Sequence, residues 1–157
     1  MTRIFDHRSI LAIDPDFRGV AFVFFENGML LDWGTRGRGR NELEVLDEML
    51  DRFQADVLVI EDGEALRSER RARMRRALRL MAKRAAARGI IVQKISRHEV
   101  RRSWRERDKT NKHDVAAAIA VSFPEIEPYV PRKRRTWDTE DPRTGVFDAM
   151  SLLLETV

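Results

Sequence analysis

The stretch from Ser9 to Phe25, Ser-Ile-Leu-Ala-Ile-Asp-Pro-Asp-Phe-Arg-Gly-Val-Ala-Phe-Val-Phe-Phe, constrains the fold more than any other part of the chain. An apolar run from Ile10 to Ile13 stops at Asp14, and Pro15 follows. Proline has no N–H to donate, so a central strand is expected to end there. Arg18 and Gly19 make a turn, and a second apolar run begins at Val20. The pattern predicts a buried strand with a carboxylate at its tip, a hairpin and a second strand. Taken alone, Asp14 reads equally as a turn former or helix cap.

The rest of the chain extends this frame. Glu26-Asn27-Gly28 is a turn signal, and Met29 to Trp33 a third strand, giving an antiparallel meander. Val20–Phe25 is apolar almost throughout, which predicts cover on both faces. Asn41 is a good N-cap with Glu44 as capping-box partner, opening a helix with Leu43, Leu46, Met49, Leu50 and Phe53 at helical spacing. Val57 to Glu61 is a buried strand that again ends in an acid. A long basic helix follows, its apolar stripe running from Leu66 to Ala85 and its stop at Arg88-Gly89. Ile90–Ile95 is a fifth strand, Arg97–Trp104 a short helix or turn, and Lys112–Phe123 a helix. Pro124, Pro128 and Pro131 break regular structure before an exposed connection, and Phe147–Val157 is a last helix. The order predicts an α/β fold with a five-stranded mixed sheet, three antiparallel strands and then two parallel ones, helices on its faces. A single domain over 1–157 is expected from the length.

Charge is segregated, although the formal net charge is only +4. Residues 42–64 are mainly acidic, and 67–88 overwhelmingly basic. This asymmetry points to a polyanionic partner, nucleic acid, against the plainer reading of a solvated helix face. The candidate contacts are Arg70, Arg71, Arg73, Arg75 and Arg76 on the basic segment. Lys109 and Lys112, and the cluster Arg132, Lys133, Arg134 and Arg135, join them. There is no cysteine, which excludes disulfides and thiolate metal sites. No apolar run approaches the roughly 20 residues of a membrane span, and the N-terminus has no signal-peptide character. A cytoplasmic protein is expected.

Three acids stand out by position. Asp14 ends the first strand, Glu61 the fourth, and Asp148 sits in the first turn of the last helix. If strands one and four are parallel neighbours, their C-terminal acids face one crevice, where open α/β sheets bind ligands. Three ionised carboxylates raise one another's pKa and need a counter-charge. Hard oxygen donors without His or Cys suit Mg²⁺ or Mn²⁺. Such ions activate water and stabilise a leaving oxygen in phosphodiester hydrolysis. The plainer alternatives are a turn former at Asp14, a solvated strand end at Glu61 with Asp62 beside it as a competing ligand, and a dipole-favoured acid at Asp148.

These residues carry a family resemblance. Ile10-Leu-Ala-Ile-Asp14-Pro followed by Arg18-Gly-Val-Ala resembles the opening of the RuvC-type Holliday junction resolvases, within the ribonuclease H-like superfamily. Val57-Leu-Val-Ile-Glu61 resembles that family's second acidic strand, and Lys109-Thr-Asn-Lys-His-Asp-Val-Ala its basic entry to a helix. Val146-Phe-Asp148-Ala-Met-Ser-Leu-Leu-Leu resembles its closing acidic helix. The resemblance runs over nearly the whole chain in the right order. It implies a ribonuclease H-like fold and Mg²⁺-dependent endonuclease activity on branched DNA. It also implies Asp14, Glu61 and Asp148 as catalytic metal ligands, a homodimer, and roles in DNA recombination and repair.

Two positions depart from the family pattern. Asp16 stands where the family tends to have glycine, and Gly145 where it places an acid or His; Glu140 or Asp141 is a candidate replacement for the latter. These departures motivate the alternative of a non-catalytic or RNA-directed nucleic-acid-binding protein of the same fold. A small-molecule kinase fragment is a weaker third reading, because the chain is too short for two ATP-enclosing lobes. Among single residues, His113 is a candidate phosphate contact, and Trp104 and Trp137 are candidates for base stacking or for packing anchors.

Overall fold

The computed structural model describes residues 9–65, 68, 70–133 and 143–156. Its strands are β1 (Ser9–Asp16), β2 (Gly19–Glu26), β3 (Met29–Arg36), β4 (Val57–Glu61) and β5 (Ile91–Ile95). Its α-helices are α1 (Glu42–Phe53), α2 (Ala72–Ala87), α3 (Arg97–Glu106), α4 (Lys112–Ser122) and α5 (Thr144–Glu155). The strands form one sheet in the order β3-β2-β1-β4-β5. β1, β2 and β3 are antiparallel, and β1, β4 and β5 parallel, as the sequence predicts.

Why the central strands lack polar alternation is clear from the two cores. Ile10, Ala12, Val57 and Val59 face a layer built from α5, α3 and α4, with Phe147, Met150, Val100 and Ile119 against them. Leu11, Ile13, Leu58 and Ile60 face a layer built from α1 and α2, with Leu46, Met49, Leu78 and Met81. Each strand is buried on both sides, so every position must be apolar until the strand leaves the core.

Strand period fixes the site. Side chains two residues apart share a face. Asp14 therefore lies on the Ile10/Ala12 side of β1, and Glu61 on the Val57/Val59 side of β4, both toward α5. The parallel ladder between β1 and β4 ends at the pair Ala12 and Val59, so each acid sits two residues beyond the last pairing.

Several boundaries differ from the sequence expectation for physical reasons. β1 runs through Pro15 to Asp16. Beyond Ala12 only β2 pairs with it, so one side is free and a residue without an N–H is tolerated. The hairpin turn is then Phe17-Arg18, with Gly19 opening β2. Asn41 caps α1 by accepting from Leu43 N at 2.9 Å. The apolar stripe of α2 starts at Met74, and Leu66 lies outside the described residues. The stretch Pro124–Tyr129 is a 3₁₀ helix rather than irregular chain. α5 begins at Thr144, which puts Asp148 beyond its first turn and weakens a purely dipole-based account of that acid.

Gly145 is a packing residue. A Cβ there would lie 2.8 Å from the Cβ of Ala21 on β2, closer than such atoms approach. No acid or imidazole fits at this position without moving α5 off the sheet. The candidate replacements Glu140 and Asp141 lie outside the described residues. Gly145→Ala is expected to lose about 1 kcal/mol, an overpacking cost of ~1–3 kcal/mol set against the ~1 kcal/mol helix preference of alanine. Urea unfolding of Gly145→Ala, Ala21→Gly and the double variant checks this: the pair should be coupled, the second change relieving the first.

Candidate active site

The three acids line one cavity of about 600 Å³ at the carboxyl ends of β1 and β4. Asp14 and Glu61 are buried, at 2% and 3% exposure, and the Asp148 side chain is 20% exposed. Burial is the largest influence on Asp14, pushing its carboxyl up to about 6. Asp148 and Glu61 push the same way, and Arg97 and Arg70 oppose them. The group is still mainly ionised at neutral pH, with its partners in place.

Those partners are two guanidinium groups. Arg70 donates from Nη2 to Asp14 Oδ1 at 2.7 Å and from Nε to Glu61 Oε2 at 3.1 Å. Arg97 repeats the pattern, from Nη2 to Asp14 Oδ1 at 2.9 Å and from Nε to Glu61 Oε1 at 2.9 Å. Each arginine thus bridges the two strand tips, and both Glu61 oxygens are engaged. Arg97 Nη1 also reaches the backbone carbonyl of Asp148 at 3.5 Å, while Lys112 Nζ lies 3.2 Å from Asp148 Oδ2. Arg97 opens α3, directly after β5, and Arg70 lies in the connection from β4 to α2. Burial weakens the Arg97 cation, but the charges of Asp14, Asp148 and Glu61 outweigh it and hold its pKa above the ordinary value. The counter-charge that the sequence assigns to a divalent ion is supplied here by side chains.

The same backbone arrangement is found among solved structures. Thermus thermophilus RuvC matches with a TM-score of 0.58 and 15% identity, over 93% of this chain and 91% of that one. The chain has a RuvC-like ribonuclease H fold. T. thermophilus RuvC in complex with Holliday junction substrate matches with the same TM-score and 16% identity, over 93% of this chain and 90% of that one. No family model matches the chain, and no curated protein matches its sequence.

In this RuvC-like frame, the basic residues fall into two groups on opposite faces of the sheet. α2 packs on the α1 side, away from the acids. The acidic and basic segments, read from sequence as a sign of a polyanionic partner, pair with each other in part there. Arg73 pairs with Glu42 at 3.2 Å, Arg84 with Asp47 at 2.6 Å, and Arg88 with both Asp47 and Asp51. Arg71, Arg75 and Arg76 are exposed and make no ion pair among the described residues. Arg70 turns into the acid cavity. Lys109 and Lys112 line that cavity, Arg132 and Lys133 are exposed, and Arg134 and Arg135 lie outside the described residues.

What the sequence reading missed is the basic face of α3. Arg97, Arg101 and Arg105 recur every fourth residue and all line the cavity, with Lys109 and Lys112 continuing the wall. That spacing was available in the sequence, but it carries meaning only once this segment is known to be a helix. Asp16 lies at the rim, held by Arg18 at 3.1 Å. His113 Nδ1 is 2.6 Å from the carbonyl of Pro131, so it ties down the segment after the 3₁₀ helix. Trp104 is a packing anchor in the core, and Trp137 lies outside the described residues.

The oxygen donors, which line one cavity, fit a hard divalent cation in chemistry. In the arrangement seen, Asp14 and Glu61 are engaged by Arg70 and Arg97 instead. Among the described residues no group of three or more His, Cys, Asp or Glu side chains is set to hold a metal.

The raised pKa of Asp14 has a definite sign in stability. Below about pH 4 the carboxyl is neutral in folded and unfolded chains; as pH rises through about 6 it must ionise while buried, and its contribution falls. The stability advantage of the wild type over Asp14→Asn is therefore expected to shrink as pH rises across this window, as read by urea midpoints. A difference that grows with pH would contradict the assignment.

Proposed function

We propose that this protein is a metal-dependent endonuclease that hydrolyses phosphodiester bonds in structured DNA, branched DNA first. The observation that carries the reading is the convergence of Asp14, Glu61 and Asp148, from three distant segments, on one cavity walled by the cations of α3 and the 109–112 segment. Asp14, Glu61 and Asp148 would be the donors to Mg²⁺ or Mn²⁺. When bound, such an ion would activate a water and stabilise the leaving oxygen of a phosphodiester. Arg101, Arg105 and Lys109 would hold the sugar-phosphate backbone by charge-assisted hydrogen bonds. The structural relative solved with a Holliday junction substrate supports branched DNA as the first substrate to try. Action as a homodimer, which the resemblance implies, belongs to the same proposal.

Phe17 supports a substrate with unpaired bases. It sits at the tip of the β1–β2 turn on the cavity rim, 83% exposed. The Arg18 guanidinium lies 5.1 Å from its ring centroid, and Asp16 fixes Arg18 by its backbone N–H at 2.7 Å and its side chain. An exposed ring beside a cationic wall is suited to stacking on a base.

The second reading, a non-catalytic or RNA-directed binding protein, is favoured by one observation: guanidinium groups, not a cation site, neutralise the carboxylates of Asp14 and Glu61. Cleavage assays on four-way junction, duplex and structured RNA with Mg²⁺ or Mn²⁺ separate the two. The nuclease reading expects junction cleavage that Asp14→Asn abolishes while binding survives; binding without cleavage of any substrate selects the second.

Two further outcomes follow for binding. The double variant Arg101→Ala/Arg105→Ala is expected to lower the slope of log affinity against log salt by about 2, at roughly 0.9 for each phosphate that is no longer neutralised. Phe17→Ala is expected to weaken junction or single-strand binding by about 1–3 kcal/mol and leave duplex binding unchanged. Fluorescence anisotropy over a salt series reads both.

A further inference from the structure

The nuclease reading leaves the paired arginines unexplained, because the side chains that fill the acid site are themselves excellent phosphate ligands. Guanidinium binds carboxylate and phosphate through the same planar fork of donors. Arg70 and Arg97 donate four hydrogen bonds to Asp14 and Glu61, all between 2.7 and 3.1 Å. With Lys112 on Asp148, three acids meet three cations, so the floor of the cavity offers an incoming divalent ion no net attraction. Both guanidiniums also line the open cavity, with side chains 26% and 17% exposed. They are thus in reach of a phosphate that enters along Arg101 and Arg105.

We propose that Arg70 and Arg97 are phosphate ligands held on Asp14 and Glu61 in the free protein, and that an entering nucleic-acid backbone takes them and so opens the two carboxylates to a divalent cation. This rests on the cleft being a nucleic-acid site. It makes metal uptake depend on substrate: free protein carries a self-neutralised centre, the first phosphate to withdraw an arginine removes half of the four hydrogen bonds to the two acids, and the second leaves each an unpaired buried carboxylate. Such a carboxylate is costly in a low-dielectric site, which is what a cation then relieves. Arg70 lies outside any helix or strand, whereas Arg97 stands in the first turn of α3, so Arg70 is the half of the pair that helix geometry does not hold.

Linkage makes the idea quantitative. If nucleic acid raises the affinity for metal by some factor, metal raises the affinity for nucleic acid by the same factor. Couplings between linked sites are typically roughly 5- to 150-fold.

The test uses Mn²⁺ as the probe, counted by electron paramagnetic resonance, with an uncleaved four-way DNA junction as the second ligand. Wild type with the junction, after subtraction of Mn²⁺ held by the junction alone, should bind Mn²⁺ more tightly than free wild type by a factor in that range. Arg70→Ala should bind Mn²⁺ more tightly than wild type without any DNA; Arg97 still bridges both acids in this variant, and Arg70→Gln is the substitute should it fold poorly. By anisotropy, Mn²⁺ should raise junction affinity by the same factor, and this gain should vanish in Asp14→Asn. Equal Mn²⁺ affinity in free wild type, the junction complex and the Arg70 variants overturns the proposal. A junction that binds while Mn²⁺ enters none of these states also overturns it and leaves the binding reading standing. Failure of wild type to bind any nucleic acid removes the reading beneath it, while the Arg70 variants still report on the clamp.

Discussion

Everything at the functional end of this molecule is governed by the bridging of two buried carboxylates by two arginines. Taking a charge out of water costs several kcal/mol even after relaxation, and a lone pair of like charges at two strand tips would not persist. The fourfold bridge from Arg70 and Arg97 to Asp14 and Glu61 answers this with planar donors that each span both strands. The bridge also joins elements far apart along the chain: the β4–α2 connection, the start of α3, and the ends of β1 and β4. It therefore sets the width of the crevice that opens where the parallel ladder stops.

That crevice exists because the sheet is covered on both faces and its acids emerge on only one of them. The odd and even positions of β1 and β4 feed two separate cores, so parity decides which helix layer an acid meets. Asp14 and Glu61 share parity with the residues that pack on α5, which brings in Asp148 without any further device. The close fit of Gly145 against Ala21 brings α5 near the sheet, and the same closeness denies the site a fourth acid from this position.

Much of this was legible in the residues. Two apolar runs ending in Asp14 and Glu61 gave the strands, and their expected parallel pairing put both acids at one crevice. The antiparallel meander and the later parallel strands followed from turn signals and intervening helices. What escaped was what depends on packing between distant segments. The pairing of Arg73, Arg84 and Arg88 with the acids of α1 was hidden, because sequence does not say that α1 and α2 lie side by side. Arg70 read as a surface contact, because its neighbours in the chain are outward-facing arginines. The wall formed by Arg97, Arg101 and Arg105 was visible as a spacing but had no meaning until α3 was placed over the acids. Pro15 read as a strand end, because the loss of β4 as a neighbour beyond Ala12 is a property of the sheet.

The ion pairs between α1 and α2 lie at the surface, with Arg73 79% and Asp51 70% exposed on their side chains. The pairs over Asp14 and Glu61 are sheltered. Added electrolyte screens the first set within a Debye length of roughly 8 Å at physiological strength and hardly reaches the second. The sheet thus separates a face whose ion pairs respond to ionic strength from one whose central ion pairs, those over Asp14 and Glu61, are insulated from it.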